Sequence, residues 1–249
     1  MELKGRTFIV TGASAGMGRA LAVQLSREGS NLVLNARESA PLTRAAAECE
    51  AAGVVVDYVA GDAGLERTAA DVVAKAVQIG DFSGFVHNAG VVRPGPYLWE
   101  LSQDHFNEVM AANLLAGYQL VRFAVPELLK RWEGIAVFVG SGAAEINLPG
   151  IGAYSVAKAA EEHMARQLAE EAPQIVTLVY RPGVVDTRLQ AQAREATGGA
   201  AKFLHKEFRA YKDRGMLISP ADAAGALVRI IARNPDKFHG KICTWRDGN

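Results

Sequence analysis

Tyr154 and Lys158 stand four residues apart in Ala153-Tyr154-Ser155-Val156-Ala157-Lys158, and Ser141 lies thirteen residues upstream of the tyrosine, at the end of an apolar run. A phenol, an ammonium and a hydroxyl can together move a proton. A free phenol has a pKa of about 10, too high for efficient acid/base work near neutrality. A neighbouring ammonium favours the phenolate and lowers that value. On a helix, positions i and i+4 share a face, which sets Lys158 beside Tyr154. The spacing alone is common on amphipathic helices, so its weight depends on the rest of the chain.

The elements that must position these residues are legible as alternating patterns. Continuous Val/Ile/Leu/Phe runs predict strands over 7–10, 31–34, 54–59, 84–87, 135–140, 175–180 and 241–245. Unbroken apolar runs, rather than alternating ones, suit strands of a parallel sheet buried on both faces. Ala-rich segments between them predict helices over 17–28, 41–52, 65–79, 103–131, 153–171 and 220–234. Strand-helix alternation implies an α/β, doubly wound (Rossmann) three-layer sandwich, with about seven parallel strands and helices on both faces. A single domain spans 1–249, with an irregular excursion over about 188–216 whose polar, helical composition suggests a cover.

Composition narrows the function classes. The chain has 249 residues, 49% hydrophobic and 22% charged, the balance of a soluble enzyme with a sizeable core. Lys+Arg and Asp+Glu are both 27, so no global field favours nucleic acid or an anionic membrane. Cys49 and Cys243 have no metal-ligand spacing, the five histidines are scattered, and no metal site is expected. No apolar stretch is long enough to span a bilayer, and the N-terminus lacks signal-peptide architecture, which makes the cytoplasm the expected location.

Directly after the first strand comes Thr11-Gly12-Ala13-Ser14-Ala15-Gly16-Met17-Gly18. Strand, glycine turn and helix in that order form a phosphate site: Gly12 permits the sharp turn, Gly16 a close backbone approach, and Gly18 close helix packing. The helix N-terminus adds N–H donors and positive potential.

This T-G-x-x-x-G-x-G spacing resembles the short-chain dehydrogenase/reductase family. Further motifs of that family follow in order: Asn88-Ala89-Gly90 after the fourth strand, Asn113 in the next helix, then Ser141, Tyr154 and Lys158, then Arg181-Pro182-Gly183-Val184-Val185-Asp186-Thr187. The resemblance implies that Tyr154 protonates a carbonyl oxygen, Ser141 hydrogen-bonds the same oxygen, and Lys158 tunes the phenol and holds the nicotinamide ribose. It gives Asn113 a water-linked proton path. It assigns cofactor contacts to Gly12, Ser14, Ala15, Gly16 and Met17, to Asn88, Ala89 and Gly90, to Tyr154 and Lys158, and to Pro182, Gly183, Val185 and Thr187.

The second strand ends Leu34-Asn35-Ala36-Arg37. NAD-selective folds place an acid near this point to accept from the adenosine ribose. Ala36 stands there, and the Arg37 guanidinium suits a 2′-phosphate instead. NADP(H) is therefore the expected cofactor, with NAD(H) as the alternative. Asp62 in Gly61-Asp62-Ala63 resembles the family acid at the adenine, with Ala63 beside it.

Within the family, the segment from Pro182 to Gln190, then Ala193-Arg194-Glu195 and Phe238-His239-Gly240, resembles the sepiapterin reductase/benzil reductase branch. That implies a small-molecule carbonyl substrate, a ketone or vicinal dicarbonyl. The branch's pterin reductases carry an aspartate in the last strand where this chain has Thr244, with Asp247 off register. Leu148, Trp99, Phe203, Leu204 and Tyr211 are candidate substrate lining. The family also implies a homodimer or homotetramer through helices around 103–131 and 153–171. A catalytically silent NADP(H)-sensing regulatory protein is the rival reading, opposed by the intact Asn113, Ser141, Tyr154 and Lys158 set. A purely structural domain is opposed by the phosphate turn.

Overall fold

A computed structural model describes residues 1–249. Seven strands form one sheet: β1 (Thr7–Thr11), β2 (Asn31–Ala36), β3 (Val56–Ala60), β4 (Phe82–His87), β5 (Ile135–Val139), β6 (Val176–Arg181) and β7 (Ile242–Thr244). Their order is β3-β2-β1-β4-β5-β6-β7, and every neighbouring pair is parallel. The helices are α1 (Gly16–Arg27), α2 (Ser39–Glu50), α3 (Glu66–Ile79), α4 (Gln103–Met110), α5 (Ala116–Leu129), α6 (Gly152–Glu171), α7 (Arg188–Arg194), α8 (Ala201–Asp213) and α9 (Pro220–Arg233).

The strand runs are continuously apolar because each strand feeds two cores. Side chains alternate along a strand, so Phe8 and Val10 point one way and Ile9 the other. Phe8, Val10, Leu34 and Val137 pack with Leu21, Leu42 and Leu227 from α1, α2 and α9. Ile9, Val33, Phe85 and Phe138 pack with Val72, Leu120 and Leu168 from α3, α5 and α6. The buried sheet between two helix layers is the doubly wound sandwich expected from the sequence. No helix is long and apolar enough to cross a membrane.

The order reverses between β1 and β4: β2 and β3 lie on one side of this pair, and β5, β6 and β7 on the other. In an open parallel sheet, the C-terminal ends of strands flanking such a reversal leave a crevice. Both the glycine turn after β1 and the Asn88-Ala89-Gly90 segment after β4 emerge there.

One expectation changes and another gains detail. The single helix expected over 103–131 is divided: α4 and α5 are separated by one wide π-helical turn over Ala111–Leu115. The excursion after β6 contains α7 and α8, which enclose a third apolar cluster. Strand ends differ from the sequence-based bounds by one or two residues, as fraying termini do.

Candidate active site

The glycine turn is built from β1 outward. Gly12 has φ +65°, the left-handed region that costs glycine little. A side chain there would stand 2.9 Å from the Ala89 backbone. Gly18 is tighter, since a Cβ would overlap the Gly12 carbonyl oxygen and the Asn88 amide. Helix α1 starts at Gly16 behind an extended Ala15 that supplies no side-chain cap, and its first turn holds no acid. The helix end therefore offers bare N–H donors and undiminished positive potential, which suit a pyrophosphate. Thr187 approaches from the segment after β6, its methyl carbon 3.4 Å from where a Gly16 Cβ would lie. The residues present thus fit a dinucleotide lying between the glycine turn and the 182–187 segment.

Asn88 has a structural task besides any cofactor contact. Its amide donates to the carbonyls of Thr11 (3.0 Å) and Gly12 (3.4 Å). The Thr11 hydroxyl accepts the backbone N–H groups of Asn88 and Ala89, each at 3.1 Å. These bonds tie the ends of β1 and β4 together. Thr11 was not singled out from sequence, although its place before Gly12 was a usable signal. The Asn35 amide does similar work between β2 and β3, donating to the carbonyls of Val59 and Gly61.

At the adenosine end, Arg37 is largely exposed and donates to Glu108 of α4 at 3.2 Å. Arg93 donates to the other Glu108 oxygen at 2.6 Å. Partial burial pushes the Glu108 carboxyl up, but Arg93 and Arg37 outweigh it and hold it below its ordinary value. Asp62 gives one oxygen to its own turn, accepting the Gly64 N–H at 2.8 Å.

Asn113 sits at the centre of the π-helical turn, fully buried. Its amide donates to the Val109 carbonyl, four residues back, and to the Val91 carbonyl after β4, both at 2.8 Å. A side chain that takes a helix carbonyl competes with the backbone ladder, which accounts for the wide turn here. The same bonds pin α4 to the segment beyond Gly90.

Ser141 follows β5. Its hydroxyl accepts the Ala143 N–H at 3.1 Å, and its O–H remains to donate. Its own N–H donates to Glu162 at 3.2 Å. Arg181 donates two bonds to the same Glu162 carboxylate, at 2.9 and 2.6 Å, so α6, β5 and β6 are clamped together at Ser141.

Tyr154, in the first turn of α6, is half-buried between two apolar clusters. The Lys158 ammonium lies 6.0 Å from the centre of its ring. Lys158 is buried and donates to the Val139 carbonyl (2.8 Å) and to Glu161 Oε2 (2.7 Å), which leaves one N–H uncommitted. Neither Glu161 nor Glu162 was singled out from sequence. Their positions three and four residues beyond Lys158 share its helix face, and this was the available signal.

Substrate-side residues divide. Leu148, Leu204 and Tyr211 join Tyr154 in the cluster under α7 and α8, with Leu189 and Phe208 beside them. Phe203 and Trp99 do not join it: Phe203 is partly exposed beneath Lys202, and Trp99 stacks on Tyr97 in solvent. Helix α8 buries Ala201, Leu204 and Phe208 at helical spacing, which turns Phe203 away from that face. Thr244 and Asp247 bond each other in a capping box after β7, so the Asp247 carboxylate is engaged locally.

A model of the family described as short chain dehydrogenase matches residues 6–198. The chain belongs to the short-chain dehydrogenase family. It is an oxidoreductase of that type, acting between an alcohol and a carbonyl. The oxidoreductase YIR035C of Saccharomyces cerevisiae is 31% identical over 98% of this chain and 96% of its own. The crystal structure of that protein superposes with a TM-score of 0.86, covering 97% of this chain and 96% of the other. An NADPH-dependent pterin aldehyde reductase of Arabidopsis thaliana is 30% identical over 74% of this chain and 76% of its own. A benzil reductase of S. cerevisiae that forms (S)-benzoin is 29% identical over 98% and 97%.

Proposed function

We propose that the protein is an NADPH-dependent carbonyl reductase whose substrate is a ketone or a vicinal dicarbonyl. The observation that carries the reading is Tyr154, which stands between the buried Lys158 ammonium and the apolar cluster under α7 and α8. Tyr154 donates its proton to the carbonyl oxygen. Ser141 donates to the same oxygen with the hydrogen its own turn leaves free. Preorganised donors of this kind stabilise the charge that develops there. The uncommitted Lys158 N–H holds the nicotinamide ribose, and the ammonium favours the phenolate that proton donation leaves behind. When bound, the dinucleotide supplies the hydride.

NADPH is preferred because Arg37 offers a guanidinium where Ala36 offers no acid. Glu108 holds Arg37 until a 2′-phosphate competes for it. Helices α7 and α8 cover the substrate, and Leu148, Leu204 and Tyr211 favour an apolar body next to the reacting carbonyl. Two relatives support a carbonyl substrate: one is named for a pterin aldehyde, the other for benzil, a vicinal diketone. The chain pairs with copies of itself through the exposed apolar strip of Leu115, Tyr118 and Val156 on α5, α6 and the turn before α5.

The test is NADPH oxidation across diketones, pterins, quinones and simple ketones. Reduction of at least one activated carbonyl is expected, whereas tight NADPH binding with no turnover on any of them would favour a silent cofactor sensor. Tyr154→Phe should cut turnover about 10²–10⁴-fold while leaving NADPH affinity close to wild type. Turnover retained in that variant would remove Tyr154 as the acid.

A further inference from the structure

Lys158 is not alone in its pocket. Glu161, one turn further along α6, is fully buried and gives Oε2 to Lys158 at 2.7 Å. Its other oxygen, Oε1, lies 2.6 Å from Nδ1 of His87, the last residue of β4 and equally buried. The His87 tautomer with its proton on Nδ1 donates to Glu161 and leaves only a lone pair unpartnered on Nε2, the ring atom with no bonding partner. Lysine, glutamate and histidine thus form one chain running inward from Tyr154 beneath the sheet end. Packing holds it closed, since a Cβ on Gly117 of α5 would stand 3.0 Å from His87 Nδ1.

We propose that Glu161 is a positioning residue for the reaction: locked between His87 and Lys158, its carboxylate keeps the buried lysine charged beside Tyr154, and this sets the alkaline limit of carbonyl reduction. The inference rests on the reading of Tyr154 as the proton donor.

A buried ammonium without a counter-charge gives up its proton, because burial disfavours the charged form. Here burial pushes the Lys158 ammonium down, while Glu161 first and Tyr154 next push it up, leaving it above the ordinary lysine value of 10.5. The charged and titratable groups facing the pair are few. Tyr154, Glu161 and Glu162 come from α6, and His87 comes from β4. From β6, Arg181 is shared between Glu162 and Glu145, and Glu162 adds a smaller upward push on Lys158 than Glu161 does. β5 presents the Val139 carbonyl, and the Ala111–Leu115 turn carries no titratable side chain.

The sign of the effect does not depend on which group releases the proton. Lys158 lies 6.0 Å from the centre of the Tyr154 ring, so a charge near one also acts on the other. Removing a nearby negative charge makes any proton on that pair easier to lose. Reduction needs the phenol protonated and the ammonium charged, so its alkaline limb moves to lower pH.

The experiment is the pH profile of kcat for NADPH-dependent reduction of a diketone that the wild type accepts. Glu161→Gln should fold, bind NADPH, and shift the alkaline limb down by about one unit or more. Glu161→Asp, which keeps the charge, should stay near the wild-type limb. An unshifted profile in Glu161→Gln with kcat lowered equally at every pH overturns the proposal, and so does an equal shift in Glu161→Asp. If Glu161→Gln does not fold, the wild-type protein decides the matter by ¹⁵N NMR of its lysine side chains. The Lys158 resonance, identified by its loss in Lys158→Arg, should remain that of an ammonium at pH 10.5. Deprotonation below that pH overturns the proposal. This measurement needs no turnover, so an inactive wild type would defeat the carbonyl-reductase reading without deciding the role of Glu161.

Discussion

Arg37 shows how a residue acquires meaning from its partner. From sequence it is a guanidinium following a strand, suited to a 2′-phosphate. In the fold it is held by Glu108, which Arg93 also grips. A charge-assisted hydrogen bond contributes about 1.5–3 kcal/mol, and about 1.4 kcal/mol is a factor of ten. Arg37→Ala should therefore raise the KM for NADPH about tenfold or more and leave that for NADH nearly unchanged, as read from steady-state kinetics with each cofactor. Equal increases would show that Arg37 does not meet the 2′-phosphate. Glu108→Gln should move the NADPH KM in the opposite direction, since it removes the carboxylate that competes for the guanidinium.

Elements decide whether such residues meet. The glycine turn works because β1 ends beside β4 and α1 starts with almost no clearance. A methyl group at Gly18 would need the space of the Gly12 carbonyl and the Asn88 amide. Gly18→Ala should cost about 1–3 kcal/mol of stability, the range of an overpacked site, and weaken NADPH binding with it. Thermal unfolding with and without NADPH measures both, and an unchanged melting temperature would mean that the turn relaxes freely. The split between α4 and α5 was not legible in the same way. Gly117 and Pro126 interrupt helix propensity within 103–131, yet the break falls at Asn113, where only the Val91 carbonyl, brought near by β4, gives the amide a second acceptor. Phe203 and Phe208 show the same limit: both are apolar, and only the packed face of α8 tells the buried one from the exposed one.

At the scale of the whole molecule, an apolar strip on α5 and α6 is uncovered. Leu115 and Tyr118 are 41% and 47% exposed, and Val156 on α6 is 46% exposed. Leu115 and Tyr118 border a hollow of about 570 Å³ also lined by Met110, Leu114 and Met164. Exposed apolar patches of this kind mark association surfaces. The wild-type chain should sediment as a dimer or tetramer, and Leu115→Glu should shift it toward monomer, as sedimentation velocity would detect. A monomeric wild type would leave this strip without the role assigned to it.

Sequence by itself determined the strand-helix alternation and the glycine turn, and it singled out Ser141, Tyr154 and Lys158 as candidates. The elements follow from local stereochemistry, namely side-chain periodicity and glycine at a turn, and the three residues from their i, i+4 spacing together with the order of motifs along the chain. Tertiary structure alone decided which charges those residues face. His87 lies 74 residues from Glu161 in the chain, and Arg37 lies 71 from Glu108. Strand order and helix packing close those gaps, and no local pattern encodes a contact whose two halves are read in different elements. For that reason Lys158 could be singled out in the sequence, while the buried carboxylate between it and His87 emerged only when β4 was laid against α6.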